Sequence, residues 1–241
     1  MTKFPTAIIL TVLLTLIFSA NVQAETHRIF TNAAIMEKAP KWLKATRVRK
    51  VTAKMQRKLE WTVHRIPVNF YPTQDDFAKA HPMGPRAMAV TLNRKSGQSV
   101  HLGPKVTDKN FDQVFAHELV HVILAQKYKR AIPKWFEEGL ANHYSANRKV
   151  DYAFLKREGP PADVRMIGHP FKLDPKKITY HYMVSQALAE MLDRKCKLVN
   201  LISLSVGRSM EPFIKTYCEI KDLNEEYKNW VEKKARFSKQ S

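Results

Sequence analysis

The chain reads as an α+β protein, with a small mixed or antiparallel sheet in its first half and a mostly helical C-terminal half. Short β-rich runs at Ile66 to Tyr71, Ala87 to Leu92 and Ser99 to Leu102 all fall before residue 103. Beyond them, apolar residues recur at helical intervals, most clearly from Phe111 to Ala125. No linker rich in Gly, Ser or Pro and no internal repeat divides the chain, so these elements belong to one unit.

Taken in order, the first 24 residues read as a secretory signal: Lys3 gives a positive start, and Ala7 to Phe18 form an apolar stretch of 12 residues. That stretch is too short to span a bilayer, and Val22-Gln23-Ala24 offers small residues for cleavage after Ala24. The expected product is exported, to a bacterial periplasm or the medium. No cysteine near the cleavage site suggests a lipid anchor, and no second apolar segment suggests a transmembrane one. Residues 25–241 then form a single domain, with helices and the small sheet over 25–110, a pair of site-bearing helices over 111–145, and a helical part over 146–241.

Within that domain, Ala33 to about Leu59 carries apolar positions at helical spacing among many bases, which predicts one or two amphipathic helices. Ile66 to Tyr71 is a short strand ended by Pro72, and the runs from Ala87 and Ser99 flank the turn Lys95-Ser96-Gly97-Gln98 as a hairpin. A buried helix follows, with Phe111, Val114, Phe115, Leu119, Val122 and Ile123 inside and Thr107 or Asp108 as its cap. Pro133 opens a further helix through Ala141, since proline is favoured in a first turn. Cys196 and Cys218 are the only cysteines; in an oxidising compartment they could close one disulfide worth roughly 3 kcal/mol, the alternative being two buried thiols.

The most informative segment is His117-Glu118-Leu119-Val120-His121. Two histidines four residues apart share one face of a helix and can share one zinc ion, and the glutamate between them can act as base on a water. A catalytic zinc takes three protein ligands and leaves a position open. Leu124 and Lys127 stand where a downstream glycine and third histidine would be needed, so the third ligand is sought elsewhere. Pro133-Lys134-Trp135-Phe136-Glu137-Glu138-Gly139-Leu140-Ala141 offers two acidic candidates, Glu137 and Glu138, and the residues alone do not choose between them. The other histidines, His27, His64, His81, His101, His143 and His169, have no partner at ligand spacing and read as surface or packed residues. Asn142, four residues beyond Glu138, could support that carboxylate.

The pairing of HELVH with WFEEGLA resembles the gluzincin metallopeptidases, specifically the bacterial peptidase MA-like family. Weaker likeness runs through Val68 to Phe77, the two hairpin strands, Tyr182-Met183-Val184-Ser185, and Met210 to Trp230. The resemblance implies a zincin-like fold, one zinc held by His117, His121 and Glu138, and Glu118 as general base. It also implies that Tyr182 assists the developing oxyanion, with Tyr180 and His181 as neighbours competing for that role. A peptide or protein substrate would pair along the edge strand from Arg86 to Leu92. Aminopeptidases of this clan hold the substrate amine with an acidic residue here, whereas Phe77 to Thr107 contains no Asp or Glu, which favours internal cleavage. Whether Glu25 to Arg47 lies in the cleft and makes the enzyme latent is left open at this point.

Charge supplies a second reading. Lys and Arg number 41 against 22 Asp and Glu, a net of +19, and removing Lys3 with the signal leaves +18. Such a field attracts polyanions. Behind a signal peptide the expected partners are anionic envelope surfaces or acidic proteins, not nucleic acid, for which no aromatic-interleaved module is present. The alternative to an enzyme is thus a catalytically silent basic protein of the envelope that binds anionic lipid or glycan surfaces.

Overall fold

The computed structural model describes residues 25–237 apart from 82, 84–85, 96, 130–131, 147–148 and 168–176, so the signal segment and His169 lie outside the described residues. It is a mixed α+β fold in which the sheet begins earlier than the sequence suggests. Strand β1 (Thr26–Phe30) pairs antiparallel with β2 (Ala34–Pro40). The helices expected over Ala33 to Leu59 therefore reduce to one, α1 (Ala45–Leu59). Met36, Ala39 and Leu43 imitate a helical stripe by their spacing of three and four, but Met36 and Ala39 are buried from a strand whose backbone is paired on both sides.

Strand β3 (Ile66–Phe70) runs parallel to β2, reached through α1, which buries Val48, Val51, Met55 and Leu59. Helix α2 (Gln74–Ala80) follows, with Thr73 accepting the Asp76 amide as its cap. Strands β4 (Ala89–Arg94) and β5 (Gly97–Leu102) form the expected hairpin, in register from Ala89↔Leu102 to Arg94↔Gly97. Because β5 returns parallel to β3, the order is β1-β2-β3-β5-β4 and β4 is an outer edge, running over Ala89–Arg94 where the resemblance implied Arg86 to Leu92. The N-terminal strand β1 occupies the opposite edge, far along the sheet from β4.

Helix α3 (Phe111–Tyr128) is apolar on most of its circumference and runs through the main core; all six residues expected inside it are buried. Its N-cap is Asn110, not Thr107 or Asp108. Asp108 is drawn away by Arg47, which pairs with both Asp108 and Asp112 and lies over the rings of Trp42 and Phe111, tying α1 to the start of α3. Asn110 instead accepts the Thr107 amide.

Helix α4 (Lys134–Ser145) starts one residue after Pro133, which is the N-cap and not the first helical residue. Among the described residues the remaining α-helices are α5 (Tyr152–Glu158), α6 (Ile178–Lys195), α7 (Leu198–Leu204), α8 (Glu211–Thr216) and α9 (Leu223–Phe237). Helix α4 lies between α3 and α6, and at Gly139 it meets α6 backbone to backbone: a Cβ there would sit 2.2 Å from the Ser185 carbonyl oxygen. Cys196 and Cys218 are joined as a disulfide, closing α7 and α8 into one loop between α6 and α9.

Candidate metal centre

The spacing of four along α3 stacks His117 and His121 one turn apart on one face, and their Nε2 atoms stand 3.2 Å from each other. Helix α4 crosses this face and delivers Glu138 to both: Oε2 lies 3.6 Å from His117 Nε2, and Oε1 lies 3.6 Å from His121 Nε2. A four-coordinate ion with bonds of about 2.0–2.1 Å sets its donors roughly 3.3–3.4 Å apart. The three side chains therefore close on a point at the separation a single metal ion requires, and they could hold one. Among the described residues no other group of three His, Cys, Asp or Glu does so.

The charge of the site points the same way. Glu118 and Glu138 are buried, and Glu137 joins them, so three carboxylates crowd two imidazoles below the surface. Such an excess of buried negative charge needs a cation. In the metal-free chain a proton serves: burial opposes charge on His121, but Glu138 and the hydrogen-bonded Glu137 outweigh it and raise the pKa to about 9.

Each glutamate of the pair on α4 has a distinct place. Glu138 enters the donor set, while Glu137 Oε1 lies 3.1 Å from His121 Nδ1. A proton on Nδ1, donated to Glu137, leaves the Nε2 lone pair facing the donor centre. The choice between the two, open in the residues alone, is made by how α4 crosses α3. On its other side α4 is seated against α6 at Gly139, where any side chain would push it off Ser185. Ser185 itself is buried and donates back to the His181 carbonyl at 2.5 Å, so the Y-x-x-S segment serves packing at its serine end.

Glu118 lines the same cavity as the donor trio and is held from the sheet side. Thr91 on β4 donates to its Oε2 at 2.7 Å and to its backbone carbonyl at 3.2 Å, fixing the carboxylate beside the cavity. Nothing in the local sequence marks Thr91; it meets Glu118 only because the hairpin register sets it facing α3. The whole group opens into a cavity of about 660 Å³, lined along one wall by Ala89 to Asn93 of β4 and across from it by Tyr182, Met183 and Gln186 of α6.

Tyr182 thus reaches the cavity, whereas Tyr180 is turned away to donate to the Gly159 carbonyl at 2.8 Å, and His181 does not line it. Asn142 lines the same cavity one turn beyond Glu138. Among the described residues none before Met83 lines the cavity, so the segment from Glu25 to Arg47 does not occupy it. Of the other histidines, His101 is held between Tyr71 Oη at 2.6 Å and Ser99 Oγ at 2.8 Å, with burial driving its pKa down to about 4. His143 pairs with Asp193 at 2.8 Å. Compared with protein-family models, curated proteins and solved structures, the chain gives no match.

Proposed function

We propose that this chain is an exported zinc metallopeptidase of the gluzincin type that cuts within peptide chains. The observation that supports this most directly is the closure of His117, His121 and Glu138 at 3.2 to 3.6 Å beside Glu118, in a cavity that runs along an unpaired strand edge. Two imidazoles and one carboxylate are a donor set suited to zinc, and three protein ligands leave a position for chemistry. Zinc held there supplies Lewis acidity, bringing water toward a pKa of about 7 and drawing charge off a carbonyl oxygen.

The protein's own groups do the rest. Glu118 accepts the proton of the attacking water and returns it to the departing amide nitrogen, with Thr91 fixing one carboxylate oxygen throughout. Tyr182 donates to the carbonyl oxygen as charge develops on it. Glu137 holds the His121 ring in the tautomer that faces the metal. The substrate backbone pairs with the outer edge of β4, which needs no side-chain recognition and so admits an extended peptide or an unfolded protein segment.

The test is cleavage profiling of a diverse peptide mixture by zinc-loaded residues 25–241 beside Glu118→Gln. Internal cuts made by the wild type and lost in the variant, with zinc bound to both at about one per chain, are the expected result. Zinc-loaded protein that cuts nothing would sink the proposal.

A second reading draws on α1, where Arg49, Lys50, Lys54 and Arg57 are exposed and the helix has no acidic residue. In that reading the basic surface docks on anionic lipid or glycan of the envelope. Salt-sensitive binding to anionic vesicles that survives Glu118→Gln distinguishes it from peptide cleavage.

A further inference from the structure

The proposed cleft has an electrical direction. Its negative residues, Glu118, Glu137 and Glu138, are gathered at the donor centre, and among the described residues lining the cavity Arg86 is the only Lys or Arg. Arg86 is exposed, stands three residues ahead of β4, and makes no hydrogen bond or ion pair with the described residues. The other end of β4 offers no counterpart: the Arg94 guanidinium lies 3.4 Å from the Ala80 carbonyl and does not line the cavity. No acidic residue between Phe77 and Thr107 competes for Arg86 from its own stretch of chain.

Resting on the peptidase reading, we infer that Arg86 is a specificity-determining residue that recognises a substrate carboxylate on the C-terminal side of the bond to be cut. An added strand that pairs antiparallel with β4, the better hydrogen-bonded arrangement, runs opposite to it, so its C-terminal part passes the N-terminal end of β4. Arg86 is at that end. The level of the chemistry is marked by Thr91, which touches Glu118, and Arg86 precedes it by five positions. Strand pairing at about 3.4 Å per residue, shortened by the reach of the arginine, puts the carboxylate roughly two to four residues beyond the cut. The planar guanidinium suits a carboxylate through paired N–H donors, whether from an Asp or Glu side chain or from a free C-terminus.

The experiment profiles cuts by the zinc-loaded wild type, Arg86→Gln and Arg86→Glu on a peptide mixture synthesised with free and with amidated C-termini. Enrichment of Asp and Glu two to four residues past the cut, lost in Arg86→Gln and replaced by Lys and Arg in Arg86→Glu, is the expected outcome. Enrichment of cuts near free but not amidated ends would identify the terminal carboxylate as the source. Cleavage without acidic enrichment, or enrichment that survives Arg86→Gln, overturns the inference and leaves the peptidase reading standing. If no chain cuts, that reading falls, and binding of labelled acidic and neutral peptides to the zinc-loaded protein decides the matter. Roughly tenfold weaker binding of acidic peptides to Arg86→Gln supports carboxylate recognition; equal affinities overturn it.

Discussion

Glu137 and Thr91 each hold a neighbour of the donor trio, or a member of it, without entering the trio themselves. Replacing Glu137 by Gln removes the charge that braces His121, and a 10- to 100-fold loss of zinc affinity is expected in a competition titration with a chelator. Thr91→Val leaves the donor trio intact but frees the Glu118 carboxylate; turnover should fall on the order of tenfold or more while zinc stoichiometry stays unchanged. His121 gives a pH signature. Its pKa in the metal-free fold is raised to about 9 from 6.5, so its contribution to stability is fully present below pH 6.5 and lost as pH climbs through 9. The melting temperature of the zinc-free protein should decline across that window, and zinc should flatten the decline because the metal replaces the proton. The same linkage requires proton release when zinc is added near pH 7.5, readable with a weakly buffered dye.

Among the elements, α3 was legible from its residues because its motif and its buried stripe share one period and one helix. The hairpin was legible because both strands flank a turn, whereas β1 and β2 were not, since a strand's identity there comes from its neighbours and Met36, Ala39 and Leu43 mimic a helical stripe. Glu137 against Glu138 could not be settled from one chain segment, because the answer is the angle at which α4 crosses α3. The position of α4 is limited on its other side by its close approach to α6 at Gly139. Gly139→Ala brings a methyl group to 2.2 Å from the Ser185 carbonyl oxygen and should cost about 1–3 kcal/mol, seen as a lower melting temperature, with zinc affinity falling as Glu138 is displaced. The disulfide acts elsewhere: Cys196→Ser with Cys218→Ser should destabilise the chain by roughly 3 kcal/mol without altering the donor set, which lies on α3 and α4.

For the molecule as a whole, the sheet, the site helices and the basic surface divide the work. A net charge of +19 in the full chain sets the long-range field, and any association with anionic vesicles should weaken steeply between about 0.05 and 0.2 M salt, while zinc content does not change. The unpaired edge of β4 has a consequence for the protein's own solution behaviour. A row of open backbone donors and acceptors is a template for the same strand of another copy, the usual route to edge-to-edge aggregation. Here residues of that strand line the cavity, with Arg86 ahead of its start and Arg94 at its end, so two copies approaching antiparallel would set arginine against arginine. Antiparallel self-pairing of this edge is thereby opposed by like charge at both ends.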